Sequence, residues 1–232
     1  MITFDEKDHV YTHDQTQEKY TSVTTLIGKY EHEFDKDKHS ARVAKREGVP
    51  QELVLEMWQA ENDKANERGH KIHKLMENYI ELGEEDPSYK WLYASYDKAA
   101  RINIGAYKSV VCENILHNDV YKIAGMADLI YDHGNTFTIA DFKTNKKFNF
   151  DSPFNDYLLP PIDHLSNCQF NTYALQMSLY AYMNECLTGK QCKKIVVFYL
   201  QDDVWTPINC NYLKSDAIAL MKHHLYKSVD LS

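Results

Sequence analysis

Two periodicities divide the chain. Up to about residue 105 apolar positions recur mostly at helical spacing, and from Ala106 they alternate in steps of two. Residues 1–20 alternate weakly around Thr12-His13-Asp14-Gln15 and predict a small hairpin. Thr21-Ser22 offers an N-cap for a short helix through Tyr30. The charged segment up to Gly48 predicts an exposed helix. Pro50 opens a long helical pattern over 51 to about 82, carried by Leu53, Met57, Ile72, Leu75, Met76 and Tyr79 and interrupted at Gly69. Another helix follows Pro87-Ser88 to about Asn103.

The second half predicts strands over 107–117, 120–131 and 136–142, then a loop over 146–166 bearing prolines and aromatics. A loop that long inside a domain is functional or mobile as a rule. A helix over about 167–187 follows, with Leu175, Leu179, Tyr182 and Cys186 as its core stripe. A buried strand over 194–200, a partner over 204–209 and a last helix capped by Ser215 complete the chain. The order predicts an α/β fold in one domain, 1–232. Residues 1–105 would form a hairpin and helical layer, and 106–232 a core built on a mixed central sheet.

Composition narrows the function classes. With 232 residues, 44% hydrophobic and 26% charged, the chain can bury one sizeable core. No apolar run approaches the roughly 20 residues that span a bilayer. Met1-Ile2-Thr3-Phe4-Asp5 has no signal-peptide pattern, so the expected location is the cytoplasm. The five cysteines, 112, 168, 186, 192 and 210, include no CxxC pair and read as reduced thiols. A net charge of −8 argues against nonspecific coating of nucleic acid. Basic clusters at Arg42-Lys45-Arg46, Lys143-Lys146-Lys147 and Lys190-Lys193-Lys194 still leave room for a local basic track.

The chemistry concentrates in GMADLIYDHGNTFTIADFKTNKK, residues 125–147. Each arm of this predicted hairpin carries an aspartate where a strand is normally apolar, Asp128 and Asp141. A two-residue turn at His133-Gly134 places Asp128 opposite Ile139, with Asp141 diagonal to it on the same face and Lys143 two residues on. Two close carboxylates repel unless a cation lies between them. Hard oxygen ligands select Mg²⁺ or Mn²⁺ over zinc, and a neighbouring ammonium can orient water or steady negative charge. The plain alternative is a solvated strand face on which Lys143 pairs one aspartate.

Further candidates surround the hairpin. With Asn118-Asp119 as a turn, Glu113 faces Ala124, about four residues from Asp128 and too far to share an ion without a bulge or strong twist, and an exposed strand glutamate is the plain alternative. His73 and Glu77 share a helix face at i, i+4. Gln169, Tyr173, Gln176 and Tyr180 form a polar-aromatic stripe suited to phosphate, base or Lys143, or simply to a core with wetted hydroxyls. Phe148, Phe150, Phe154 and Tyr157 could stack on bases or anchor their loop.

In order, His73 on a helix, Glu113, GMAD at 125–128, DFK at 141–143 and QMSLY at 176–180 resemble the PD-(D/E)XK nuclease superfamily, in its RecB-like exonuclease branch. KYTSVTTLIGKY and LLPPIDHL are similar to phage-encoded members, which would place the protein in a host cytoplasm. The resemblance implies a restriction-endonuclease-like core and a metal-dependent DNA exonuclease of recombination, replication or repair. Asp128, Asp141, His73 and the Phe142 carbonyl would hold Mg²⁺ or Mn²⁺. Lys143 would position the attacking water, Gln176 and Tyr180 would support the lysine and DNA, and Glu113 would match the acid of the first motif.

DNA with single strands or free ends is the implied partner, alongside a single-strand annealing or binding protein. The cysteine spacing departs from the iron–sulfur subset, and no GxxxxGK[ST] loop is present, so neither a cluster nor ATP is expected. A structure-specific endonuclease of the same fold and a non-catalytic binding module in a recombination or packaging complex are the competing functions.

Overall fold

The structure, a computed structural model, describes residues 1–5, 8 and 10–229. In chain order its elements are β1 (Ile2–Asp5), β2 (Val10–His13), β3 (Lys19–Ser22), α1 (Val23–Gly28), α2 (Lys36–Glu47) and α3 (Gln51–Leu82). A single 3₁₀ turn (Pro87–Tyr89) leads into α4 (Lys90–Asn103), β4 (Ser109–Asn118), β5 (Ile123–Asp132) and β6 (Thr136–Lys143). Then come α5 (Gln169–Thr188), β7 (Gln191–Gln201), β8 (Val204–Cys210) and α6 (Lys214–Val229). The last helix starts one residue ahead of the expected Ser215 cap.

Local chemistry accounts for most of these boundaries. Ser22 Oγ accepts the Thr25 N–H at 3.0 Å and starts α1. Asp35 caps α2 through the Lys38 N–H at 2.9 Å, and Gly48 ends it at φ +68°. α3 runs 32 residues from Pro50 and passes Gly69 without a break, contrary to expectation. A helix-interior glycine costs only about 1 kcal/mol. A Cβ at Gly69 would meet Thr144 Oγ1 at 3.4 Å, close to ordinary contact, so α3 lies beside the strand end there. α3 packs through Val54 in its first half and Ile72 and Met76 in its second, while Leu53 and Met57 stand exposed.

All eight strands join one mixed sheet, in the order β1-β2-β3-β5-β6-β7-β8, with β4 also on β5. The N-terminal strands therefore belong to the sheet and are not a hairpin set apart in a helical layer. Three strands form there because β3 continues into parallel pairing with β5, Thr21 with Ile123 and Ser22 with Ala124. Ile2, Tyr11 and Tyr20 can then bury against Ala124. A lone two-stranded hairpin would have no such support.

Helices cover both faces of the sheet. One core joins Leu26 and Ile27 of α1, Leu175 and Leu179 of α5 and Leu220 of α6 to Ile130 and Ile139. The other joins Ile72 and Met76 of α3 and Tyr93 and Tyr96 of α4 to Leu129, Phe142 and Phe198. On α5, Leu175 and Leu179 are buried as expected, whereas Cys186 is exposed, because the final turn of the helix extends past the core.

The 146–166 loop is anchored at both ends. Phe148 packs against Phe150, Tyr173 and Tyr199, with ring centroids 5.0–5.6 Å apart. Leu158 and Ile162 enter the core, and the Leu159 N–H donates to Tyr30 O at 2.8 Å. Phe150, Phe154 and Tyr157 remain more than half exposed.

Candidate functional site

The site forms where the sheet splits. β4 lies along one edge of β5. On the other edge β3 takes Ile123 and Ala124, and β6 takes residues 129–132. Residues 125–128, Gly-Met-Ala-Asp, lie in the fork between β3 and β6. Their backbone groups and side chains can turn toward a shared cleft because no strand occupies that edge.

A paired irregularity sharpens the fork. Glu113 and Asp128 stand opposite each other, between the pairs Cys112–Leu129 and Asn114–Ala127, and Glu113 has φ +48°. The alternation inverts there in both strands. Leu116, Ile123 and Ala127 face the α5 side, whereas Cys112, Leu129 and Tyr131 face the α3 and α4 side. The kink aims Glu113 and Asp128 into the fork.

Two registers therefore differ from the sequence expectation. Glu113 does not face Ala124, which pairs His117 instead. The connection after Asn118 is four residues long, with Asn118 Oδ1 accepting the Val120 and Tyr121 N–H groups and Lys122 at φ +51°. The shift moves Glu113 by four residues, directly across from Asp128. In the second hairpin Ile139 pairs Ile130, not Asp128. Continuing that register sets Asp128 opposite Asp141 rather than diagonal to it. The turn falls one residue later than expected: the His133 N–H reaches Thr136 O at 2.9 Å and closes the hairpin around Gly134-Asn135, with Asp132 Oδ1 accepting the Gly134 N–H at 2.8 Å. A slip of two keeps the face, so Asp141 and Lys143 still project together.

His73, Glu113 and Asp128 converge, each offering one ligand atom, all within 4.8 Å of one another. Asp141 is outside that group of three. It is buried, and its Oδ2 has Lys143 Nζ at 2.6 Å and no hydrogen bond of acceptable angle. Asp128 Oδ2 accepts the Phe142 N–H at 2.7 Å, which ties the two strands together where their ladder ends. His73 reaches in from α3, its Nε2 3.0 Å from Phe142 O and its Nδ1 3.4 Å from Asp128 Oδ2. Both ring nitrogens thus face acceptors, and a neutral imidazole has one N–H to give.

The acids are crowded. Burial, then Asp128, raises the Asp141 carboxyl to about 6, against the opposing pull of Lys143 and His73. Burial, then Asp128 and Glu77, raises Glu113 to about 8. Burial disfavours the Lys143 ammonium, yet Asp141 and Asp128 outweigh it and hold the amine above its usual range. A cluster of carboxylates with one imidazole, in which Lys143 is the cation paired with Asp141, is compatible with a hard divalent cation.

The raised carboxyls carry a signed pH dependence. Each contributes stability that is fully present below its unfolded value and lost as pH rises through its folded value. For Glu113 that window runs from 4.5 to about 8, and for Asp141 from 3.8 to about 6. Thermal denaturation in chelator should show Tm falling from pH 5 to pH 8. Millimolar Mg²⁺ should restore more at the alkaline end. A chelated protein with a flat or rising Tm over that range would contradict the crowding.

α5 closes the other wall. The Tyr173 ring lies 4.7 Å from Lys143 Nζ, and its hydroxyl donates to Asn145 Oδ1 at 3.2 Å. Gln176 Nε2 donates to Tyr180 OH at 3.2 Å, and the Tyr180 ring covers Gly125. Gln169 is spent on the loop, accepting the Asn149 N–H at 2.9 Å. The cleft has a volume of about 990 Å³ and also takes in Asn62, Asn66 and Glu77 of α3 and Tyr11 and Ser22 of the first strands. Tyr11 and Ser22 carried no local signal, because only the parallel pairing of β3 with β5 brings them here.

No family model matches the chain, and neither does any curated protein. Twenty-two chains of solved structures match. One is the crystal structure of SSO0001, at 15% identity and TM-score 0.42, covering 93% of this chain and 79% of that one. Another, from Eubacterium rectale, bears the name "Putative exonuclease", at 13% identity and TM-score 0.41, covering 90% and 80%. At scores this low neither likeness identifies a relative. Among the described residues no helix is long and apolar enough to cross a membrane.

Proposed function

We propose that this protein is a divalent-cation-dependent deoxyribonuclease of the PD-(D/E)XK kind, hydrolysing phosphodiester bonds from DNA ends. The observation that supports it best is the fork itself. His73, Glu113 and Asp128 converge there beside a buried Asp141–Lys143 ion pair, at the wall of an open cleft. His73, Asp128, Asp141 and the Phe142 carbonyl would hold Mg²⁺ or Mn²⁺, and Glu113, brought beside Asp128 by the kink, would be a further ligand. When bound, the cation compensates the carboxylates and polarises a phosphodiester oxygen.

Lys143 is held charged, so it orients a water and neutralises charge developing on the phosphate. Tyr173 restrains the lysine from above. Gln176, with its amide facing the cleft and tied to Tyr180, contacts the phosphate backbone. Glycine at 125 lets the tyrosine ring lie against β5 and hold that amide in place.

The test is digestion of end-labelled single- and double-stranded DNA in Mg²⁺, in Mn²⁺ and in chelator. Metal-dependent loss of terminal nucleotides is expected, with circular single-stranded DNA left intact. Cleavage of the circle would replace end-dependent action with an endonuclease of the same site. No cleavage of any DNA in either metal would refute the nuclease.

A further inference from the structure

Beyond Lys143 the chain leaves β6 as a short strap, residues 144–147, before the long loop begins. Two cavities meet along it. One is the catalytic cleft. The other, of about 390 Å³, is lined by Arg68, Lys146, Tyr199 and the turn Asp202-Asp203, and Asn145 borders both. Thr144 and Asn145 are only half-buried, and Lys146 and Lys147 are exposed. Hydrogen bonds rather than core packing therefore set the position of the strap. Arg68 Nη1 donates to Thr144 O at 3.4 Å, and Asn145 Nδ2 donates to Lys147 O. Asn145 Oδ1 accepts the Tyr173 hydroxyl at 3.2 Å, which ties the strap to α5.

That last bond bears on Lys143. Its ammonium ends a flexible four-carbon stem and carries three N–H donors. Asp141 Oδ2 lies 2.6 Å from the nitrogen. The centroid of the Tyr173 ring lies 4.7 Å from it, within cation–π range. A carboxylate and a π face together restrict where the ammonium can sit, and the remaining donors are left for water or phosphate in the cleft.

The ring itself has two supports. Phe148 packs against it with centroids 5.6 Å apart, a contact that survives loss of the hydroxyl. The tilt of the ring about that contact is set at its hydroxyl end, where Asn145 is the acceptor.

We infer that Asn145 is a positioning residue: its side-chain oxygen fixes the Tyr173 ring against the Lys143 ammonium, and so fixes where the lysine holds the attacking water. Its effect reaches the chemistry through Tyr173. The catalytic consequence rests on the nuclease reading, but the contact can be measured without cleavage.

The experiment has two arms. In chelator and without DNA, proton–carbon NMR of the lysine side chains reads the ring contact, because a methylene beside an aromatic face is shifted upfield. The Lys143 ε-methylene signal, assigned by its loss in Lys143→Ala, should lie upfield of the ordinary lysine position. Asn145→Ala and Tyr173→Phe should each move it back toward that position. In Mg²⁺ or Mn²⁺, cleavage of end-labelled DNA should show kcat about three- to tenfold lower in each variant, the worth of one hydrogen bond, with KM little changed. The double variant should be no slower than either single one, because both remove the same bond. Asn145→Asp keeps an acceptor there and should restore kcat.

Losses that multiply in the double variant, losses confined to KM, or no recovery in Asn145→Asp would overturn the proposal. Wild-type cleavage with the Lys143 signal unmoved in both variants refutes the positioning role alone. A signal that moves in both variants, with no wild-type cleavage in either metal, upholds the contact and refutes the nuclease alone.

Discussion

Lys143→Ala will reduce DNA cleavage about a thousandfold or more while leaving divalent-cation binding measurable by calorimetry. Asp141→Asn will remove both. The difference follows from what each side chain does at the fork. Lys143 is the cation nearest the buried Asp141 oxygen, at 2.6 Å. Without it, Asp141 and Asp128 face each other with less compensation, and a bound divalent ion becomes more valuable to the fold. Metal-free Lys143→Ala should therefore melt lower than wild type near neutral pH and recover more when Mg²⁺ is added.

Asp141→Asn does the reverse. The amide relieves the repulsion from Asp128 that helps push the Asp141 carboxyl to about 6, which offsets part of the loss of the buried 2.6 Å pair with Lys143, so the chelated variant should melt above chelated Lys143→Ala. On the proposed assignment it also withdraws a hard anionic ligand, so the affinity for Mg²⁺ should fall with it. Substantial cleavage by both variants would exclude this site as the catalytic one. Equal loss of cation binding in both would make Lys143 a positioning residue for the metal ligands, not a group acting on the phosphate.

Gly125→Ala should be the most damaging single methyl in the cleft. A Cβ there falls 2.5 Å from Tyr180 Cε1 and 3.1 Å from its hydroxyl oxygen. Tyr180 is almost wholly buried and bonded to Gln176, so the ring cannot swing aside without moving α5 or the strand. Overpacking of this kind costs about 1–3 kcal/mol. In a domain of this size that lowers Tm by roughly 2–12 °C. Displacing Tyr180 also carries Gln176 away from the phosphate, so cleavage should fall by more than the loss of stability explains. The double variant Gly125→Ala with Tyr180→Leu should recover part of the stability, giving a favourable coupling in a double-mutant cycle. Simple additivity would show that the strand, not the ring, absorbs the added methyl.

Local pattern carried a large part of this protein. Ser22 as an N-cap, Gly48 at the end of α2 and the switch from helical to alternating apolar positions after residue 105 are properties of short segments. So is the shared face of Asp141 and Lys143, since side chains two apart on a strand must project together. The pairing of helix and strand types to a mixed α/β sheet followed from the same periodicities.

Registers and long-range contacts were not legible in that way. Glu113 lies across from Asp128 because Asn118 and Lys122 lengthen a turn by two residues, which shifts every pair beyond it. Continuing the next hairpin's register sets Asp128 opposite Asp141 because its turn falls one residue later, at Gly134-Asn135, held by Asp132 and His133. Turn length depends on a few hydrogen bonds whose free energies differ little, so apolar alternation constrains the face but not the partner. The fork needed β3, about a hundred residues upstream, to pair in parallel with the start of β5 and leave residues 125–128 open. The sequence by itself determined which residues could bind a cation and on which elements they stand. Tertiary structure alone decided that His73, Glu113 and Asp128 meet, because their meeting is set by packing between distant segments.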